Sequence, residues 1–339
     1  MSDAAAGSAE PASPPTRRRA LTLGFAALAV PVIGAAGYQS VRAASGGTNI
    51  RANLTLVAPA AAGGGWDAFQ RELQQAMRAN QLVGNVQVLN IPGAGGTIAI
   101  GSMSRLNQPT NLMVGGTGQI AAQIQFDTPS QIHDVTPIAR VVEEYDLIAV
   151  PADGAYEDLD SLVTAWREDT PAIAWTGGGS FDQLVVTDLA LTAEVPTGDI
   201  TYIPSDGGGE AIQALLNGTA QATAGGFADI YPQVESGRLR ALGLVAPQPL
   251  EGVDLPTLPD LGYDVTLTNW RALFAPPVVT PEQVAEYEVL LEESFATPEW
   301  QEAVQRNNWV EVPLQGDELR DYIDSEIERI SGLFAEIEG

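Results

Sequence analysis

Leu54-Thr55-Leu56-Val57-Ala58 is followed by Pro59-Ala60-Ala61-Ala62 and then by Gly63-Gly64-Gly65-Trp66-Asp67. The first five residues read as a buried strand, the glycines as a bare turn, and Trp66 onward as a helix with Phe69, Leu73, Ala76 and Met77 on one stripe. Asp67 and Arg71 form an i,i+4 pair on that helix. The unit recurs. Val86–Leu89 leads to Gly93-Ala94-Gly95-Gly96-Thr97, 172–175 to Gly177-Gly178-Gly179-Ser180, and 200–203 to Asp206-Gly207-Gly208-Gly209-Glu210. A strand, a glycine loop and a helix start leave free N–H groups at the positive end of a helix, which suits an anion. Two loops fall in each half of the chain, so one anion held between two lobes is expected.

Further strands are expected at 112–114, 222–224 and 239–245, and further helices at 96–106, 159–167, 210–216, 281–295, 298–306 and 317–337. Long apolar segments at 138–150 and 265–276 read as crossings between the lobes. Alternation of this kind predicts an α/β fold with mostly parallel sheets flanked by helices. The expected division is 52–150 with 266–339 for the first lobe and 151–265 for the second.

The N-terminus reads differently. Residues 1–16 are polar and Ala/Ser/Pro-rich, Arg17-Arg18-Arg19 follows Thr16, and an apolar run extends from Leu21 to Ala36. This predicts a twin-arginine-type signal peptide over 1–44, cut near Ala43 or Ala44. An uncleaved anchor is the other reading, although the run is short for a span.

The 339 residues carry 43 acidic and 16 basic side chains, every basic one an Arg, for a net charge of −27. Nucleic acid and anionic membrane surfaces are poor partners for such a chain. There is no Cys, which removes disulfides, thiolate chemistry and cysteine metal sites. The single His, His133, sits in a loop-like stretch, so His-based catalysis has no second candidate. No metal and no cofactor are expected. Gly116-Thr117-Gly118-Gln119-Ile120-Ala121 formally matches a dinucleotide loop. It lies in the third strand–helix unit, however, and Thr136 stands where the partner acid belongs.

Candidate ligand contacts are Gly63, Gly64, Gly65 and Trp66, with Asp67 ordering the loop; Gly95, Gly96 and Thr97 as a second jaw; and Thr117 and Gly118 at a strand end. In the second lobe they are Gly178, Gly179, Ser180, Gly208 and Gly209. Ser180 reads equally well as a helix cap, and Asp206 as a turn residue. Arg271 is either a cleft cation or a hinge residue paired with an acid; Arg140 reads as structural and Trp175 as core. A side chain at Gly64 or Gly95 is expected to block the ligand without unfolding the domain.

Several motifs together carry a family resemblance: Pro59-x3-Gly63-Gly-Gly-Trp-Asp67, Asn90-x2-Gly93-Ala-Gly-Gly96, Thr136-Pro-Ile-Ala-Arg140, Tyr202-x6-Gly209, Gly237-Arg-Leu-Arg-Ala-Leu242, Leu255-Pro-Thr-Leu258 and Asn269-Trp270-Arg271. In this order, across 52–337, the chain resembles the substrate-binding proteins of tripartite tricarboxylate transporters, a family of extracytoplasmic solute receptors. The resemblance implies a two-lobed, periplasmic-binding-protein-like fold of the second type. It implies a monomeric binding protein, not an enzyme, that passes a small carboxylate, citrate-like by its motif variant, to a membrane permease of one large and one small subunit. Asp182, in Gly178-Gly-Ser-Phe-Asp182, is a departure that sets an acid beside a loop expected to meet carboxylates. A binding protein or sensor for another organic anion, such as a dicarboxylate, aromatic acid or sulfonate, would share these loops.

Overall fold

The computed structural model describes residues 49–205 and 207–338. The signal-peptide expectation for 1–44 and the turn reading of Asp206 lie outside them.

Strand β1 (Asn53–Ala58) runs parallel to β2 (Asn85–Asn90) on one side and to β3 (Asn111–Gly116) on the other. Between β1 and β2 lies helix α1 (Gly65–Ala79), whose stripe of Phe69, Leu73, Ala76 and Met77 is fully buried. Helices α2 (Thr97–Met103) and α3 (Thr117–Gln125) follow β2 and β3. The sheet is completed by β4 (Thr136–Glu144), by β10 (Asn269–Ala275) and by β11 (Val310–Gln315), in the order β11-β4-β10-β3-β1-β2.

The second sheet contains β5 (Asp146–Pro151), β6 (Ala174–Gly177), β7 (Thr201–Pro204), β8 (Ala222–Gly226) and β9 (Leu239–Val245), in the order β7-β6-β8-β5-β9. Helices α4 (Leu159–Glu168), α5 (Ser180–Thr192), α6 (Gly208–Leu216) and α7 (Phe227–Glu235) flank it. The chain ends with α8 (Pro281–Phe295), α9 (Pro298–Asn307) and α10 (Gly316–Glu338). No helix among the described residues is long and apolar enough to cross a membrane.

The α/β architecture is as expected, but each sheet is mixed rather than mostly parallel. The strands that cross between lobes run back through the sheets: β10 is antiparallel to β3 and β4, and β5 is antiparallel to β8 and β9. The apolar segment 138–150 is two strands, not one. It changes sheets at Tyr145, between Glu144 of β4 and Asp146 of β5, so residues 146–150 pair in the second sheet.

Glu143 ties the two crossings together. It accepts hydrogen bonds from Tyr145 Oη at 2.8 Å, on the outward crossing, and from Thr268 Oγ1 at 3.1 Å, on the return, and it pairs with Arg140. Helix α10 adds a third connection. It packs on α3 and β4 of the first lobe and on α5 of the second, and Arg329 reaches Asp188 across this contact at 3.6 Å. One apolar core, with Ile120, Leu184, Val185, Trp270, Ile330 and Phe334, therefore runs continuously between the sheets. Separate cores fill the outer faces of each lobe.

Candidate functional site

A cavity of about 730 Å³ opens between the sheets. From the first lobe it is lined by Ala60–Gly65, Ala68, Arg271 and Asn307–Trp309, from the crossing by Glu144 and Tyr145, and from the second lobe by Gly207–Gly209 and Gly226–Asp229. Among the expected ligand residues it brings together Gly63, Gly64, Gly65, Gly208, Gly209 and Arg271. The others stand outside its lining, and their contacts explain why.

Asp67 holds the first loop. Its Oδ2 accepts the Gly63 N–H at 2.8 Å and Arg71 Nε at 2.8 Å, and its Oδ1 accepts Asn90 Nδ2 at 2.9 Å. Burial raises its pKa, but the hydrogen bonds from Arg71, Gly63 and Asn90 outweigh that and hold it below the usual carboxylate range. The loop is thus pinned ahead of α1, and the first-turn N–H groups of that helix have no carbonyl behind them. Trp66 lies away from the cavity: its ring covers Gly118, where a Cβ would sit 3.3 Å from Cζ2.

The second jaw is a packing device. At Gly95, φ is +57° and a Cβ would lie 2.2 Å from Ala122 Cβ; at Gly96, φ is +91° and a Cβ would meet Gln119 at 2.9 Å. Thr97 is buried and its hydroxyl donates to the Ala94 carbonyl at 2.9 Å. A bulky residue at Gly95 therefore disturbs the fold itself, contrary to the expectation that the domain would tolerate it. Gly64, with φ of −75° and nearest neighbours at 3.4 Å, has room for a Cβ.

The Thr117 hydroxyl is fully used. It donates to the Thr268 carbonyl at 2.9 Å and accepts the Trp270 N–H at 3.1 Å, fastening α3 to the return crossing. Ser180 Oγ donates to Gln125 Oε1 of the first lobe at 2.9 Å, so it joins the lobes rather than capping α5. Gly178 packs against Gly207 and Gly208, and its N–H donates to Asp182 Oδ2 at 2.5 Å. Gly179 has open space around it.

Arg271 is the hinge residue rather than a free cation. Nη2 pairs with Glu144 Oε1 at 2.6 Å, Nη1 donates to the Gly65 carbonyl at 2.7 Å, and the side chain is 6% exposed. Trp309 Nε1 donates to the same Glu144 oxygen at 2.5 Å. Trp175 is buried against Trp166 and Arg140 pairs with Glu143, both as read from the sequence. His133 is exposed and faces Asp324 at 3.2 Å.

Glu144, Tyr145, Phe227, Asp229 and Trp309 also line the cavity and were not expected there. A signal for two of them existed. Gly225-Gly226-Phe227-Ala228-Asp229 has the same strand–glycine–helix form as the other loops. Among the described residues no group of three or more His, Asp or Glu side chains is spaced to hold a metal ion.

The model of the tripartite tricarboxylate transporter family receptor matches residues 69–338. Solved structures share the fold at low identity. The periplasmic binding protein BugD aligns with a TM-score of 0.72 and 22% identity, over 84% of this chain and 97% of that one. MatC from Rhodopseudomonas palustris, with bound malate, aligns at 0.70 and 22%, over 83% and 98%. Rpa4515 of R. palustris, with adipate, aligns at 0.73 and 18%, over 84% and 97%. With a match across most of its length, the chain belongs to the tripartite tricarboxylate transporter receptor family, whose members bind substrates rather than transform them.

Proposed function

We propose that this receptor captures a small organic carboxylate in the cavity between its lobes, outside the cytoplasm, and delivers it to a membrane permease of one large and one small subunit. The observation that carries the reading is the pairing of two glycine loops, Gly63–Gly65 and Gly207–Gly209, on opposite walls of one cavity. Both loops open helices, and a helix N-terminus offers about half a positive charge without a basic side chain. The volume falls in the range of small-molecule pockets. Malate in MatC and adipate in Rpa4515 show that this fold accommodates dicarboxylates in other chains. A citrate-like tricarboxylate is the finer expectation from the motif variant, but three negative charges facing Glu144 and Asp229 weigh against it. Export by the twin-arginine route and action as a monomer complete the reading.

A thermal-shift screen of the purified protein against mono-, di- and tricarboxylates tests it. Ligand at 100 times Kd adds about 2.7 kcal/mol of stability. No shift with any carboxylate contradicts the proposal. A permease gene beside the gene for this chain favours transport over sensing.

A further inference from the structure

Among the described residues that line the cavity, Arg271 is the one cation. It is built into the wall. The rings of Phe69 and Trp309 lie 5.8 and 5.5 Å from its guanidinium carbon. A Cβ on Gly65 would fall 2.9 Å from Nη2, so glycine is what lets the charge sit against the start of α1. A cation at the positive end of a helix is unfavourable unless an anion joins it. Arg271 and the α1 start thus form one anion site, and Glu144 supplies its resident anion.

Glu144 satisfies that site incompletely. Its Oε1 takes both Arg271 Nη2, at 2.6 Å, and Trp309 Nε1, at 2.5 Å. Arg271 Nε shares an edge of the guanidinium with Nη2, and it is buried without a hydrogen-bond partner. A carboxylate that takes Nε and Nη2 together meets both donors in the stronger bidentate geometry. The Glu144 side chain keeps 22% exposure against 6% for Arg271, so the anion has room to leave while the cation stays.

The position of Glu144 ties such an exchange to the lobes. It is the last residue of β4 and stands opposite Asn269 of β10, so both crossings meet there. The next carbonyl, that of Tyr145, accepts the Phe227 N–H at 2.9 Å and so holds the start of α7, part of the second-lobe wall. A solute shifts the lobes only by as much as it favours one arrangement over the other. Removing Glu144 from Arg271 gives it that preference.

Resting on the carboxylate reading above, we infer that Glu144 is a built-in competitor for the solute: it holds Arg271 until the solute's carboxylate takes Arg271 from it, and its release frees the crossing at Tyr145 to carry the second lobe. A monodentate anion gains nothing over Glu144 and is excluded.

Calorimetric titration of the full chain and of Glu144→Gln with succinate, adipate and citrate tests this, together with the indole N–H resonance of Trp309 in heteronuclear NMR. Glu144→Gln keeps the shape and the acceptor oxygen but gives up the charge, so an acid bound by the native chain should bind the variant at least threefold tighter. The Trp309 resonance of the native chain should move upfield as that acid saturates it, because the hydrogen bond to Glu144 is released. If Glu144→Gln does not fold, the Trp309 resonance decides alone. An acid that binds only the variant also supports the competitor. A smaller gain in Glu144→Gln, or an unmoved Trp309 resonance in a native chain that binds, overturns the competitor and leaves the carboxylate reading standing. Binding of none of the three acids to either chain overturns both.

Discussion

Arg271 Nη2 stands 2.6 Å from Glu144 Oε1, and the same guanidinium donates to the Gly65 carbonyl at 2.7 Å. One side chain on the return crossing thus grips the end of the outward crossing and the start of α1. Its charge is already matched, so it is a brace for the cavity wall before it is a ligand contact. Truncating it leaves Glu144 without its cation and opens the loop.

Arg271→Ala should therefore lower stability by about 3 kcal/mol, the size typical of breaking a largely buried pair. Urea denaturation of the single variants and of Arg271→Ala with Glu144→Gln checks the coupling. The double variant should recover part of the loss. Additive losses would mean that the pair does no more than two independent contacts.

The Asp67 carboxylate has three donors and little exposure. Asp67→Ala should cost about 2 kcal/mol and free the Gly63–Gly65 loop. Hydrogen exchange of the Gly63 amide should speed up in the variant. Unchanged exchange would show that the loop holds its shape without Asp67.

Acidification should stabilise this protein before it denatures it. Asp182 is raised to about 7 from an unfolded value near 3.8, and Asp146, Asp188 and Asp229 also move upward. A raised carboxyl favours folding most below its unfolded pKa, and that contribution is lost as pH climbs through the folded value. Asp67 works the other way: its pKa is lowered, so its contribution holds above the unfolded value and fades as pH falls below it. The melting temperature should therefore rise from pH 8 to about pH 5 and drop below about pH 4. Relief of overall charge repulsion has the same sign, so Asp182→Asn is the control: it should flatten the slope between about pH 5 and 7. An unchanged slope would assign the effect to net charge.

The glycines separate into two kinds. Gly95→Ala should destabilise strongly, because its φ of +57° is strained for a side chain and Ala122 Cβ is 2.2 Å from the new atom. Gly209→Ala meets nothing within 4 Å and should fold normally. Circular dichroism melts of the two variants decide, and equal melting temperatures would refute the distinction.

Much of this fold was legible because glycine punctuates it. Each glycine loop marks a strand end and a helix start, and Pro281 and Pro298 mark two helix starts to the residue. What escaped had weaker punctuation. Strand β11 holds Pro313 and is only partly buried, and α7 carries Pro232 within it. The change of sheets at Tyr145 hides in an apolar run, although Glu143, Glu144 and Asp146 interrupt it. Of the site, the Gly63–Gly65 and Gly207–Gly209 loops could be read locally. Asp182 could be read as an acid beside a glycine loop, but its nearness to Glu144 and Asp229 could not, since the three come from separate elements and meet only through the sheet order. Gly95, Thr117 and Ser180 look like ligand contacts in sequence for the same reason that they bind protein: each sits where elements approach closely.

The central claim is that the glycine-walled cavity binds a small carboxylate through backbone amides. Its most direct test is calorimetric titration of the native protein, Gly64→Val and Gly209→Val with the carboxylate that shifts the native melting temperature most. Both variants should keep the native melting temperature and bind at least tenfold more weakly. Correctly folded variants with native affinity would contradict the account and place the ligand elsewhere.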